Sequence, residues 1–91
     1  MRIIKKRSTS KCKDDSLVKE YVLISPVDDQ DINTLEKYGK VSLKGIGENI
    51  LYSFSSDILS VKGMIGDTVI YVTHRREDDL AVKNMMENIF G

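Results

Sequence analysis

Hydrophobic positions along the chain follow two periods, and the clearest stretch runs from residue 67 to residue 90. Residues 69–72 are four consecutive β-favouring residues between Gly66-Asp67 and the charged run after Thr73, a pattern typical of a strand in the middle of a sheet. Apolar residues then recur at i, i+3, i+4, i+7 and i+8; they are Val82, Met85, Met86, Ile89 and Phe90. This spacing predicts an amphipathic helix over about residues 78–90 that packs on a sheet.

Alternation of apolar and polar residues predicts further strands. Leu17 to Ser25 forms the first, which Pro26 ends because proline cannot donate to a ladder. Residues 40–44, 50–55 and 59–62 alternate and are joined by short turns, so we expect an antiparallel meander that finishes with the strand at 68–73. Residues 49–58 also fit helical spacing. Their tyrosine, phenylalanine and serines favour the strand, although the helix stays open as an alternative.

The segment after Pro26 predicts a short first helix. Asp28 suits the N-cap, and Asp29 and Asp31 fall in the first turn, where the helix dipole favours negative charge. Val27 and Ile32 occupy the two positions of a hydrophobic staple. The helix is about ten residues long, with Gly39 as the residue just beyond its C-terminus.

These elements predict an α+β fold in the order β-α-β-β-β-β-α: a twisted, antiparallel, five-stranded sheet with both helices packed on one face. We expect residues 17–91 to form this single domain and residues 1–16 to form a flexible basic N-terminal arm. In its element order, over about residues 17–90, the chain resembles one repeat of the TATA-binding-protein-like and related helix-grip folds. The resemblance implies a fold and no function.

The acidic start of the first helix also resembles the opening of an EF-hand calcium loop. Asp29, Asp31 and Asn33 match positions one, three and five of that loop. Thr34 stands where the loop needs glycine, however, and Lys40 stands where a glutamate should complete the ion's coordination. Helix capping explains the same acids, so the sequence predicts no metal site.

Composition narrows the class of protein. Ninety-one residues make one domain, 41% hydrophobic and 31% charged. We expect a cytoplasmic protein without a membrane segment, because no apolar run approaches the roughly 20 residues of a span and the N-terminus lacks a secretory signal. Cys12 is the only cysteine and His74 the only histidine. A disulfide within the chain, a zinc site built on cysteines and a catalytic Cys–His pair are therefore not expected.

A net charge of zero conceals an asymmetry along the chain. Residues 1–13 contain six basic and no acidic residues, a net charge of +6. Residues 14–91 contain the other eight basic residues and all fourteen acidic residues, a net charge of −6. Arg75 and Arg76 sit near a helix N-terminus, where cations are unfavourable. The candidate contacts for an anionic partner or nucleic acid are Arg2, Lys5, Lys6, Arg7, Lys11, Lys13, Arg75 and Arg76.

No nucleophile–base pair, paired carboxylates or cofactor loop stands out, so the sequence predicts neither an enzyme nor a cofactor. We expect a small binding or accessory domain that contacts another protein, or a second copy of itself, through the open face or an edge of the sheet. Serines and lysines of the meander would line that open face; they are Ser42, Lys44, Ser53, Ser60 and Lys62. The alternative is a nucleic-acid-binding protein that uses the basic arm with Arg75 and Arg76.

Overall fold

The computed structural model describes residues 3–11 and 16–90, with side chains for residues 3–6 and 17–90. It shows an α+β fold with an antiparallel sheet and two helices, as the sequence predicts. In chain order the elements are β1 (Ile3–Lys11), β2 (Ser16–Leu23), α1 (Asp29–Glu36), β3 (Lys40–Ile46), β4 (Asn49–Ser55), β5 (Leu59–Met64), β6 (Val69–Arg75), a 3₁₀ turn (Arg76–Asp78) and α2 (Asp79–Phe90).

The strands form one sheet in the order β1-β2-β6-β5-β4-β3, and every neighbouring pair is antiparallel. Short turns connect β3 to β6 as a meander, because adjacent antiparallel strands need only a hairpin. The chain reaches the start of that meander through α1, which crosses from β2 to the far edge of the sheet. The last strand, β6, therefore lies beside β2, and β1 and β3 are the two edge strands.

The predicted count of five strands is wrong, because Ile3–Lys11 pairs with β2 as a sixth. These residues fall within the segment expected to be a flexible arm. Strand pairing uses backbone groups, and lysines are typical of protected edge strands, so a basic composition does not prevent pairing. Register shifts between Ile3 and Lys5 and between Ser8 and Ser10 mark bulges in this strand.

The expected capping of α1 is confirmed. The Asp28 carboxylate accepts a hydrogen bond from the Asp31 N–H (3.1 Å), and the Asp31 carboxylate accepts one from the Asp28 N–H (3.0 Å). This reciprocal pair satisfies two N–H groups that the helix itself cannot bond. The helix ends at Glu36 with Lys37 as its C-cap, so Gly39 is not the residue just beyond its C-terminus, and Gly39 does not have positive φ. A side chain there would instead collide with the backbone oxygen of Ser55.

Residues 49–55 form a strand, which decides the one ambiguous prediction. Tyr52 and Phe54 alternate inward on β4 and are almost fully buried. A two-residue turn, Gly47-Glu48, joins β3 to β4, and Gly47 has φ +60° while Glu48 does not have positive φ. That combination is typical of a type II′ hairpin turn, which favours glycine at its first central position.

The core lies between one face of the sheet and the two helices. Val82, Met86, Ile89 and Phe90 of α2 and Ile32 and Leu35 of α1 are buried together with inward residues of the strands. On β6 these inward residues are Ile70, Val72 and His74, each alternating with a more exposed residue. The opposite face of the sheet is thus left for other contacts.

Candidate binding surface

The register of the strands fixes which side chains share the open face. Ser42, Ser53, Lys62 and Tyr71 lie side by side in one row across β3, β4, β5 and β6. Side chains alternate between faces along a strand, and the flanking residues Phe54, Val61 and Val72 are buried under the helices. The serines and lysines expected on the open face, Ser42, Lys44, Ser53, Ser60 and Lys62, all belong to it.

A trough of about 290 Å³ interrupts this polar face. Leu51, Met64, Val69 and Tyr71 supply apolar walls, and Ser53, Lys62 and Asp67 supply its polar part. Leu51 and Met64 are opposite each other on β4 and β5, and Tyr71 is opposite Lys62. The Tyr71 side chain is 46% exposed. The trough is therefore open to solvent and of a size to receive one large apolar side chain.

The charges on the open face are mainly positive. Among strand residues with described side chains, the register assigns this face the cations Lys5, Lys40, Lys44, Lys62 and Arg75 and the anion Glu20. Arg75 has an ion-pair partner, Glu77, at 3.5 Å between Nη1 and Oε1. Lys40, Lys44 and Lys62 are exposed and make no ion pair with the side chains of residues 3–6 and 17–90.

The helical side of the molecule has the opposite charge. Residues 28–37 and 76–90 contain eight acidic and three basic residues. Several of the acids sit at helix N-termini, where the cap and the dipole favour them. Within the described residues, the fold thus sets a mainly cationic sheet face against an acidic helical layer, with Glu48, Asp57 and Asp67 in the turns between strands.

The basic residues expected to form one contact patch are dispersed. Lys5 is on the open face, opposite Val22, whereas Lys6 is on the helical face with Nζ 5.8 Å from the centre of the Tyr21 ring. Arg75 lies six residues along the sheet from the row of Lys5, about 20 Å away, and Arg76 begins the 3₁₀ turn. The backbones of Arg7 and Lys11 pair opposite Glu20 and Leu17. Arg2 and Lys13 lie outside the described residues.

A polar cluster at the start of α2 joins three elements. The buried His74 ring of β6 has Nδ1 2.7 Å from the carbonyl oxygen of Arg75 and Nε2 3.6 Å from Oδ1 of Asp79. Lys19 of β2 donates a hydrogen bond to the same Asp79 carboxylate. That hydrogen bond and the nearby positive charges hold the pKa of Asp79 below its usual value. Burial, followed by the charges of Asp79 and Glu87, raises the pKa of Tyr21.

This cluster serves to attach α2 to the sheet. Since a carbonyl oxygen only accepts, His74 Nδ1 donates to the Arg75 carbonyl. The buried Nε2 makes no hydrogen bond to the described residues, so Lys19 rather than His74 holds the Asp79 carboxylate. Lys19 and Asp79 are separated by 60 positions in the chain, so no local spacing predicts their contact. Cys12, the conceivable nucleophile for this histidine, lies outside the described residues. Within them, we find no grouping of three or more His, Cys, Asp or Glu suited to a metal ion.

Two further observations bear on classification. None of the helices in the described part of the chain is long and apolar enough to cross a membrane. No family model, curated protein or solved structure is significantly similar to the chain. The resemblance to the TATA-binding-protein-like folds therefore stays a prediction.

Proposed function

We propose that the protein is a small, non-enzymatic binding domain that recognises another protein through the open face of its sheet. The observation that carries this proposal is the apolar trough of Leu51, Met64, Val69 and Tyr71 in the middle of a polar, exposed face. Interfaces concentrate their binding energy where a few apolar side chains are buried inside a polar rim. The open face has this arrangement.

The dimensions of the trough support a side chain as its occupant. Small-molecule sites bury most of their ligand, whereas this trough of about 290 Å³ is open above. Tyr71 and Met64 belong to the residue types enriched at protein interfaces. The trough suits an anchoring residue presented by a larger molecule.

A second candidate function is the binding of single-stranded nucleic acid. Exposed Lys40, Lys44 and Lys62 could contact phosphates, and Tyr71 offers one ring for stacking. The basic arm supports this candidate less, because Lys6 is on the helical face beside the Asp79 and Glu87 carboxylates. We therefore rank protein recognition above nucleic-acid binding. We propose that the protein acts in the cytoplasm, since Cys12 is the single cysteine of the chain and disulfides are rare in that compartment.

Two exposed tyrosines provide a matched test. Tyr71 on the open face is 46% exposed, and Tyr38 after α1 is 43% exposed. We expect wild type and Tyr38→Ala to capture the same protein from a nuclease-treated extract of the native source. Tyr71→Ala should capture at least tenfold less, about 1.4 kcal/mol of binding energy. Equal capture by all three would contradict the proposal. If the occupant is a second copy, Tyr71→Ala alone should shift sedimentation equilibrium towards monomer.

A further inference from the structure

The unpaired lysines of the open face have a regular spacing. Lys40, Ser42 and Lys44 are successive open-face residues of β3, so their Cα atoms are about 7 Å apart along the strand. Lys62 occupies the row of Ser42, two strands away, at about 10 Å. The three lysines therefore lie around three serines of the same face, Ser42, Ser53 and Ser55.

This spacing matches that of carboxylates on an extended chain. In a β-like segment, side chains on one face recur about every 7 Å. Acids at positions i and i+4 of a segment running along β3 would lie over Lys40 and Lys44, with position i+2 over the serines. The trough is bounded by Leu51 and Met64 in the row of Lys44, and an apolar side chain on the same face of the segment as the acids could enter it.

Electrostatics favour an anionic occupant beside Lys40, Lys44 and Lys62, whereas Asp67 at the trough favours an uncharged side chain there. The acidic helical layer is on the other side of the sheet, and charges more than about 8–10 Å apart are largely screened at physiological salt. The lysines thus act on the solution in front of them, free of internal partners among the described residues. An acidic ligand is attracted to the sheet face and repelled by the helices, which fixes the side on which it binds.

We propose that the ligand of the open face is an extended acidic segment of a partner protein. Its carboxylates contact Lys40, Lys44 and Lys62, and one of its apolar side chains fills the trough. This inference rests on the proposed function and adds the chemistry of the partner. A peptide fits better than a nucleic acid because Tyr71 is the only aromatic residue that the register places on the described open face. Strands that bind single-stranded nucleic acid stack successive bases on several rings.

The probe is a fluorescein-labelled peptide of about twelve residues, added to the intact protein. Its alternate positions carry glutamate except for one, which carries leucine so that the leucine is on the same face as the glutamates. We expect saturable binding that weakens as NaCl is raised. Lys62→Glu and Lys44→Glu should each weaken it at least tenfold. Lys83→Glu, the same charge change at an exposed position of α2, should leave it unchanged.

Three results would overturn the inference: no saturable binding, equal binding of the peptide with glutamine for glutamate, or tighter binding of single-stranded DNA of equal charge with the same lysine dependence. Capture of the partner from extract separates this inference from the proposed function. If capture requires Tyr71 but survives Lys62→Glu and high salt, the protein-binding function stands and the acidic ligand is wrong. If capture does not require Tyr71, the proposed function itself fails.

Discussion

Tyr52 of β4 lies against Gly63 of β5, and the two residues are directly opposite in the strand register. A Cβ atom on Gly63 would be 2.5 Å from the Tyr52 hydroxyl oxygen and 2.8 Å from the ring carbon that bears it. The absence of a side chain at position 63 therefore makes room for a large buried ring. Both residues also line the trough. The contact between them therefore helps to fix the backbone of β4 and β5 beneath the trough.

Gly63→Ala should destabilise the protein by about 1–3 kcal/mol, since the added methyl group must displace the buried Tyr52 ring. Gly45→Ala is the matched control, because a Cβ there would meet nothing within 4 Å. We expect that control to be unchanged or more stable by up to about 1 kcal/mol, as its unfolded chain loses freedom. Urea unfolding measures the free energy of unfolding of both variants. Equal effects would show that the Tyr52 contact does not constrain position 63.

Ile3→Ala should lower the free energy of unfolding by about 2 kcal/mol or more, because it removes a buried apolar side chain of β1 from the core. Ile3 is 9% exposed and belongs to the core, whereas its neighbour Ile4 is 61% exposed. Ile4→Ala should therefore change stability by no more than about 0.5 kcal/mol. If thermal and urea unfolding give the same small loss for both, β1 contributes little to the core.

The strongest periodic signals correctly predicted the α+β class, the antiparallel sheet and the two helices, and the strand that was missed had almost no periodic signal. Phe90 and the four other apolar residues of its stripe define a helix by spacing alone. In β1, only Ile3 and Ile4 are large and apolar among nine strand residues, and its pairing depends on the free backbone edge of β2. A sequence pattern records side chains, so it carries little information about such an edge.

The candidate surface could be predicted only in part. The alternation of the meander correctly places Ser42, Lys44, Ser53, Ser60 and Lys62 on one face, because period two needs no knowledge of pairing. The trough depends on the register that sets Leu51 opposite Met64 and on the pairing of β5 with β6. The short turns of the meander predict the pairing of β5 with β6, but local sequence does not predict the register. The attachment of α2 through Lys19 and Asp79 is non-local for the same reason.

Asp28→Ala should cost about 1 kcal/mol of stability, because it removes the acceptor for the Asp31 N–H at the start of α1. Asp28→Ser keeps an oxygen in reach of that N–H and should recover most of the loss. Denaturation of the three proteins at neutral pH compares them directly. A serine variant as unstable as the alanine variant would attribute the effect to charge rather than to capping.

Asp79→Asn should remove a pH-dependent part of the stability. Lys19, by hydrogen bond and charge, holds the folded pKa of Asp79 below the value of 3.8 that the carboxyl group has in the unfolded chain. The stabilisation is therefore fully present above pH 3.8 and is lost as the pH falls through the lowered folded pKa. Because the carboxylate is about half exposed, solvent screening limits the effect to less than roughly 1 kcal/mol.

Urea unfolding at neutral pH and at a series of acidic pH values tests this. We expect wild type to be more stable than Asp79→Asn at neutral pH. The free energies of unfolding of the two proteins should become equal in strong acid. Asp57→Asn, in the exposed turn between β4 and β5, controls for the loss of one carboxylate. A difference between wild type and Asp79→Asn that persists undiminished at the lowest pH would rule out the ion pair with Lys19 as its cause, since a protonated Asp79 carries no charge for that lysine to attract.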